Sequence, residues 1–432
     1  MGCSQGREIA VRGAVPGDEV TARIRAKRKG RIDAEVVSFE RFGLQRQEAS
    51  CQHFGVCGGC RWQDLSYADQ LYLKSQMVAD AIEAEASTTA DHAPILASET
   101  DLFYRNKMEF SFGLDRDGRR QLGLHVRGQY NRVFDVISCK LQSEISNHIV
   151  AAVRRHGDDL SIPIYDLHSH EGILRFLVVR DAKTSGQVLV NLVVADYPNE
   201  AVKQLVALVL EEIPAISTFV VTLHRGKAQV AVGQSEFTLN GTGTIVETCA
   251  GLDFEISSRS FFQTNPMQAG NLYLLIVSLA GDIGGKEILD LYCGVGAISL
   301  CLAQSASLVT GVELEDDSVA NARENAERNR ITNCEFISGP AEEVLPGFKS
   351  TGRRFDLVVV DPPRAGVHER ALSAIADIHP PTILYVSCNP VSLARDMKYL
   401  QAAGYCADAI HPVDMFPQTP HCEAVARLRL KS

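Results

Sequence analysis

The spacing of apolar and polar positions changes along the chain and predicts three kinds of structure. Residues 6–41 alternate over short stretches around a turn at "VPGDEV", which is typical of a small β-barrel. Residues 67–85 have a helical pattern. Residues 102–248 mix apolar strand-like runs with one or two helices, and this mixture predicts an α+β domain.

From about residue 252 the order becomes strand, glycine turn and helix, and the strands are nearly continuous apolar runs. This order predicts an α/β domain with a parallel, doubly wound sheet. Such sheets bind ligands at the carboxyl ends of their strands, so residues 290, 313, 361 and 388 are expected to line one crevice. The chain is divided into residues 1–45, a barrel; 46–66, a cysteine loop; 67–250, a central α+β domain; and 251–432, the parallel-sheet domain.

Composition describes an ordinary globular protein, with 45% hydrophobic and 22% charged residues. No run of about 18 apolar residues and no apolar leader segment is found, so we expect a cytoplasmic protein without a membrane partner. The formal net charge of −10 argues against a generally basic surface, yet one basic stripe stands out. It is either a solvated hairpin rim or a surface for RNA phosphates. The stripe consists of Arg23, Arg25, Lys27, Arg28, Lys29 and Arg31.

The chain contains 12 cysteines. Their uneven spacing in a long, reduced chain argues against a disulfide framework and favours metal binding or catalysis.

A glycine turn and a strand-end acid indicate a nucleoside cofactor. Gly294 and Gly296 of "DLYCGVG" allow a tight turn and a close backbone approach to a ligand. The dinucleotide fingerprint is absent because Ser299 stands where its third glycine would be. Glu313 ends the next strand, where a carboxylate can accept hydrogen bonds from ribose hydroxyls. Together these positions favour S-adenosylmethionine over a nicotinamide.

Two side chains near the end of the chain suit methyl transfer to a pyrimidine. Asp361 begins a D-P-P motif similar to that of amino-methylating enzymes, but Arg364 replaces the usual aromatic residue, which indicates another acceptor atom. Carbon 5 of a pyrimidine becomes nucleophilic when a thiolate adds to carbon 6, and a base must then remove the carbon 5 proton. Cys388 suits the first role and Glu423 the second. Taken singly, each could instead be a buried small side chain or a surface carboxylate.

Together "DLYCGVG", "DPPRAG", "YVSCNP" and "DMFPQTPHCE" resemble the RNA uracil-5 methyltransferases over nearly the whole chain. The resemblance implies a Rossmann-like class I methyltransferase domain that uses S-adenosylmethionine, with Cys388 as nucleophile and Glu423 as base. It also implies an OB-like TRAM barrel that binds RNA, here partial because family members usually begin with a further stretch. The expected cofactor contacts are Gln263, Tyr292, Gly294, Gly296, Glu313 and Asp361. Ala297 replaces a polar residue that some relatives carry.

The segment "CQHFGVCGGCRWQ" resembles the branch of this family that carries an iron–sulfur cluster and acts on 23S ribosomal RNA. The resemblance implies a 4Fe-4S cluster held by Cys51, Cys57, Cys60 and Cys139. On residues alone the four thiolates could equally hold zinc. Because the loop lies far in sequence from Cys388, we expect a structural role that ties the barrel to the central domain.

The expected function is methylation of a specific uridine in 23S ribosomal RNA by a monomer. The same chemistry on transfer RNA is the nearest alternative. A non-catalytic iron–sulfur protein that binds RNA or senses redox state is a second. A cytosine-5 methyltransferase is a weaker third, since its characteristic cysteine contexts are absent.

Overall fold

The structure, a computed structural model, describes residues 2–4, 7–28, 31–86, 88 and 90–431. Lys29 of the basic stripe and the side chains of Arg28 and Arg31 lie outside the described part. No helix within the described ranges is both long enough and apolar enough to cross a membrane.

The N-terminal residues form a small sheet with strand order β1-β2-β4-β3. Its strands are β1 (Gly2–Ser4), β2 (Arg7–Arg12), β3 (Glu19–Arg28) and β4 (Arg31–Arg41). The sheet has little core of its own, because Val15 packs with Trp62, Leu65 and Leu73 of the following segment. Its assignment as a partial TRAM barrel stays a prediction.

The central domain is a mostly antiparallel sheet with order β12-β11-β10-β9-β6-β7-β8. The strands are β6 (Lys107–Leu114), β7 (Arg120–Val126), β8 (Gln129–Asp135), β9 (Leu174–Asp181), β10 (Val188–Val194), β11 (Thr218–Leu223) and β12 (Ser235–Asn240). Two helices pack together on it, α2 (Glu144–Asp159) and α3 (Glu200–Glu212). This confirms the α+β prediction. A hairpin of β13 (Thr244–Cys249) and β14 (Leu252–Ser257) then connects the central domain to the C-terminal one.

The C-terminal sheet has the order β17-β16-β15-β18-β19-β21-β20-β5, in which β5 is Asp91–His92. The strands are β15 (Glu287–Leu291), β16 (Leu308–Glu313), β17 (Cys334–Ser338), β18 (Leu357–Val360), β19 (Thr382–Ser387), β20 (Tyr405–Val413) and β21 (Glu423–Leu430). The helices are α4 (Pro266–Ala280), α5 (Ala297–Ala303), α6 (Asp316–Arg328), α7 (Ala341–Thr351), α8 (Glu369–Asp377) and α9 (Pro390–Ala402). Strands β15 to β19 are parallel and β21 is antiparallel to β19, which confirms the predicted α/β domain.

The helix at residues 67–85, which the sequence assigned to the central domain, packs on the C-terminal sheet. Helix α1 (Tyr67–Glu85) has the predicted bounds, but it packs against α9, and β5 (Asp91–His92) pairs with β20. Val78 and Ile82 of α1 are buried in the core of the C-terminal sheet. An amphipathic pattern indicates that one face of a helix is buried, but it does not indicate which element buries that face. From the sequence, α1 was therefore assigned to the domain that follows it along the chain.

Candidate active site

A cavity of about 1020 Å³ opens at the carboxyl edge of the C-terminal sheet. Glu313, Asp361 and Cys388 line it, as expected from their positions at strand ends. Asp290, at the end of β15, lies fully buried and its Oδ2 atom accepts a hydrogen bond from Ser299 at 2.5 Å. The strand order reverses between β15 and β18, the point at which ligands enter sheets of this kind.

The turn after β15 approaches the cavity with its backbone. Tyr292 and Gly294 have positive φ angles of 63° and 54°, and both residues line the cavity. The Gly294 amide donates to Glu313 Oε2 at 3.0 Å, and the Leu314 amide donates to Oε1 at 2.7 Å. Backbone donors therefore hold the Glu313 carboxylate in one orientation at the edge of the cavity.

The other expected cofactor residues lie in two settings. Gln263 lines the cavity together with Asp361. Gly296 has a φ of 82° and faces away from it, since a Cβ atom there would come within 3.0 Å of the Phe336 ring and 3.1 Å of the Ala322 Cβ atom. Gly296 thus allows α5 to begin close to α6 and β17.

The floor of the cavity is lined by the carboxyls of Asp361 and Glu423, and the fully buried carboxyl of Asp290 lies within electrostatic range of Asp361. Burial raises the pKa of Asp290 to about 7, that of Asp361 to about 6 and that of Glu423 to about 8. Repulsion from Asp361 adds to the shift for Asp290 and for Glu423. A cationic ligand beside such poorly solvated carboxyls would stabilise their ionised form.

Cys388 and Glu423 face each other because of strand register. Strands β19 and β21 are antiparallel and pair Ser387 with Ala424, so Cys388 and Glu423 are the next facing positions. Both side chains line the cavity. Burial raises the pKa of the Cys388 thiol to about 11, the charges of Glu423 and Asp361 add to this shift, and Arg364 opposes it.

Local capping fixes the turn that carries Cys388. Asn389 caps α9 by accepting a hydrogen bond from the Val391 amide at 3.2 Å, and Pro390 occupies the first helical position. The Asn389 Nδ2 atom donates to the Arg364 carbonyl at 3.0 Å. The residues "CNP" and "DPPR" are therefore tied together at the cavity.

The segment before Glu423, residues 414–419, is held by distant parts of the chain. Lys74 of α1 forms a fully buried ion pair with Asp414 and donates to the Phe416 carbonyl at 3.0 Å. Gln70 and Gln418 exchange two hydrogen bonds of 3.0 and 2.8 Å. Through these contacts α1 positions the loop that leads to Glu423.

The cysteine loop borders the cavity. Gly58, Gly59 and Arg61 line it, and the Arg61 amide donates to the Gln418 carbonyl at 2.9 Å. The loop is far from Cys388 in sequence and yet borders the same cavity, so distance in sequence does not by itself separate it from the reacting groups. Its expected structural role stays a prediction.

The four expected cluster cysteines lie within electrostatic range of one another. Burial raises the pKa of Cys60 to about 12, with smaller contributions from Cys139, Cys57 and Cys51. Within the described residues, no group of three or more His, Cys, Asp or Glu side chains is arranged to hold a metal ion. The donor set thus suits a cluster chemically, although the side chains are not drawn together into a binding geometry.

Several lining residues were not found from the sequence. Phe261 lines the cavity with 67% of its surface exposed, so one face of its ring is open to a ligand. His421 lines it too, and burial followed by the charges of Arg364 and Arg61 lowers its pKa to about 4. Arg105 is a further lining residue. Arg105 has no motif that would identify it, whereas His421 lies within "DMFPQTPHCE" and Phe261 lies two residues before Gln263, although neither was singled out.

Comparison with known proteins gives consistent results. The sequence model of a family described as tRNA (Uracil-5-)-methyltransferase matches residues 248–431. A protein of Caldanaerobacter subterraneus named as an uncharacterized RNA methyltransferase is 37% identical, covering 99% of this chain and 95% of its own. A similarly named protein of Clostridium tetani is 36% identical over 99% of this chain and 94% of its own.

A solved structure resembles the whole chain. The Pyrococcus abyssi tRNA (uracil-54, C5)-methyltransferase in complex with S-adenosyl-L-homocysteine superposes with a TM-score of 0.77. The match covers 97% of this chain and 95% of that one, at 28% sequence identity.

Proposed function

The chain belongs to the tRNA (uracil-5-)-methyltransferase family, and on that premise we propose that it modifies a specific uridine through Cys388 and Glu423. It is a uracil-5 RNA methyltransferase that uses S-adenosylmethionine. The observation that carries the proposal is the register of β19 and β21, which sets a thiol and a buried carboxyl opposite each other in one cavity.

The cavity fits the cofactor chemically. S-adenosylmethionine supplies the methyl group from a positively charged sulfonium when bound. The carboxyls of Asp361 and Glu423 can stabilise that charge, and the Oδ1 atom of buried Asp290 has no partner among the described groups. Gln263, Tyr292, Gly294 and Glu313 line the same space and would hold the rest of the molecule. The contact expected for Gly296 would be indirect, through the turn that it shapes.

In the proposed mechanism the Cys388 sulfur bonds to carbon 6 of the uracil, and the electron pair of the C5–C6 double bond moves into the C4 carbonyl as an enolate. The enolate electron pair then forms a bond from carbon 5 to the methyl group, as the methyl–sulfur bond of a sulfonium donor would break and leave a neutral thioether. Glu423 removes the proton from carbon 5, the double bond re-forms and the Cys388 thiolate leaves. Burial and then the charges of Glu423 and Asp361 raise the pKa of the Cys388 thiol, and a cationic ligand beside Asp361 would offset the part that comes from these charges.

The target uridine must leave its stack to reach Cys388, because carbon 6 is covered by neighbouring bases in a helix. Phe261 on the exposed side of the cavity offers a ring on which a base can stack. We infer 23S ribosomal RNA as substrate from the cysteine loop. Transfer RNA is the second candidate, favoured by the P. abyssi relative, which acts on uracil 54 of tRNA by its name.

Cys51, Cys57, Cys60 and Cys139 would hold a 4Fe-4S cluster, with zinc as the alternative. Burial raises the pKa of the Cys57, Cys60 and Cys139 thiols, a cost that a bound cation would offset. Protein purified without air and containing the cluster is expected to be brown and to bleach in air. A colourless protein that contains one equivalent of zinc would show that the four cysteines bind zinc and not a cluster.

The substrate is tested with labelled S-adenosylmethionine and RNA from cells that lack uracil-5 methylation. Labelled 5-methyluridine in 23S RNA would support the proposal, and label only in transfer RNA would support the second candidate. Absence of label in any RNA would favour a non-catalytic RNA-binding protein.

The nucleophile is tested with RNA that contains 5-fluorouridine, since fluorine cannot leave as a proton does. Wild-type protein is expected to form a stable covalent adduct after methyl transfer, and Cys388→Ala none. Cys406→Ala is the matched control, because Cys406 is a partly buried thiol on β20 outside the cavity. An adduct formed by Cys388→Ala would exclude the assignment.

A further inference from the structure

We propose that five arginines at the mouth of the cavity form a phosphate-binding collar that holds the RNA backbone on either side of the target uridine. The arginine collar consists of Arg12, Arg61, Arg105, Arg127 and Arg364. The proposal rests on the function above, in which a uridine enters the cavity, and it names the protein groups that grip the rest of the RNA.

The arginine collar is assembled from separate parts of the chain. Arg61, Arg105 and Arg364 line the cavity, and they come from the cysteine loop, the segment before β6 and the loop after β18. Arg12 ends β2 and Arg127 lies in the turn between β7 and β8. Both lie within electrostatic range of Arg61. Three domains therefore contribute positive charge to one opening.

The backbone beneath these side chains is fixed. The Arg61 amide donates to the Gln418 carbonyl at 2.9 Å, and the Arg364 carbonyl accepts from Asn389 next to Cys388. The Arg127 amide donates to the Val56 carbonyl at 2.8 Å, which docks the β7–β8 turn on the cysteine loop. Phosphates bound here would lie at set distances from Cys388, so binding of the backbone would also position the base.

The arginine collar has little direct pairing with carboxylates, and Asp64 lies within electrostatic range of Arg127 alone among its members. In the described part of the chain, no salt bridge joins any of the five to a carboxylate, whereas Arg25, Arg46 and Arg353 each have acidic partners. Clustering five like charges costs free energy through repulsion, and this occurs in a chain with a net charge of −10. A ligand with several negative charges spread over the opening removes that cost, as an RNA backbone does.

The positive charge at the mouth also affects His421, which lines the cavity. Besides burial, Arg364, Arg61, Lys74 and Arg105 lower the pKa of His421 to about 4. His421 is therefore neutral at physiological pH and adds no charge of its own. The carboxylate of S-adenosylmethionine could pair with one arginine but not with five on three domains, so the arginine collar is larger than the cofactor requires.

The test measures binding without turnover. Full-length protein is titrated with a single-stranded oligouridine of 20 nucleotides and with unmethylated 23S RNA at several salt concentrations. Arg12→Gln, Arg61→Gln and Arg364→Gln are each expected to weaken binding about three- to tenfold, and to reduce the slope of log K against log salt by about 0.7 to 1. The KM for S-adenosylmethionine should stay at the wild-type value.

Arg354→Gln is the matched control. Arg354 is exposed, has no described ion pair, and precedes β18 at the amino edge of the sheet, opposite the cavity. Its affinity and salt slope should equal those of wild type. Unfolding midpoints of all variants should agree with wild type, which shows that losses of affinity come from the arginine side chains.

Unchanged RNA affinity and salt slope in Arg61→Gln and Arg364→Gln would overturn the arginine collar. A raised KM for S-adenosylmethionine with unchanged RNA affinity would overturn it as well, because the arginines would then serve the cofactor. Failure of the proposed function would give a different result. The wild-type protein would then bind RNA through these arginines but would methylate no RNA.

Discussion

The floor and the mouth of the same cavity carry ionisable groups of opposite kinds, carboxyls on the floor and arginines at the mouth. On the floor, burial raises the pKa of Asp361 and Glu423, because ionised carboxyls are poorly solvated there. At the mouth, arginines crowd together and with burial lower the pKa of His421. Neither region is neutralised by the protein, so each indicates a ligand of the opposite sign. A cationic methyl donor beneath a polyanionic RNA satisfies both.

The two regions also differ in how they are built. The floor comes from strand ends of one sheet, where β18, β19 and β21 place Asp361, Cys388 and Glu423 by register alone. The mouth comes from loops of several domains, which are joined by the hydrogen bonds from the Arg61 amide to the Gln418 carbonyl and from the Arg127 amide to the Val56 carbonyl. Chemistry thus lies on the rigid element, while recognition depends on how the domains are joined.

The largest expected effect comes from removing the base on the floor. Glu423→Gln should transfer one methyl group and then remain covalently attached to its RNA, because no group takes the carbon 5 proton. Turnover is expected to fall by about 10³-fold or more, within the range for loss of a general base and its positioning. Denaturing gels with labelled S-adenosylmethionine would show a protein–RNA band that carries the label.

Two results would contradict this role. Release of 5-methyluridine product from Glu423→Gln at the wild-type rate would assign proton removal to another group. Loss of RNA binding in this variant would show that floor and mouth are not separate in function. Substitution of Cys388 together with Glu423 should abolish the labelled band, since no bond to carbon 6 can form.

An intermediate effect is expected on the pH dependence of stability. Burial raises the pKa of Asp290 from 3.8 to about 7 and that of Glu423 from 4.5 to about 8. As pH rises, the unfolded chain loses these protons first, so the stability that the neutral carboxyls provide is lost between about pH 4 and pH 8.

Asp290→Asn should remove one of these contributions. The variant is expected to be more stable than wild type at pH 8 by about 1 to 3 kcal/mol, with a much smaller difference at pH 4. Urea midpoints followed by circular dichroism at both pH values measure this. Asp117→Asn, on the exposed turn between β6 and β7, is the control and should show no pH-dependent gain. Equal pH profiles for Asp290→Asn and wild type would contradict the account of the floor.

The same difference explains what the sequence could predict. Strand-end positions such as Glu313, Asp361 and Cys388 follow from a parallel sheet whose apolar strands are plain in the sequence, and the structure brings them to one cavity. Arg61 follows Cys60 in the cysteine motif and Arg105 belongs to no motif, and neither pattern predicts that the two meet, because their proximity arises from domain packing that local patterns do not encode. The partner of α1 was missed for the same reason.

The smallest effect is expected at the basic stripe of the N-terminal sheet, which the sequence predicted to bind RNA. Arg25 there pairs with Glu35, with an Nε–Oε2 distance of 2.8 Å and side chains that are 57% and 47% exposed. An exposed pair contributes only about 0 to 1 kcal/mol, and its carboxylate offsets the attraction for a phosphate. Arg25→Gln should therefore weaken oligouridine binding less than about twofold and leave the salt slope nearly unchanged. Measured beside Arg61→Gln, an equal or larger loss for Arg25→Gln would place the main RNA contact on the N-terminal sheet, and the mouth of the cavity would need another explanation for its unpaired arginines.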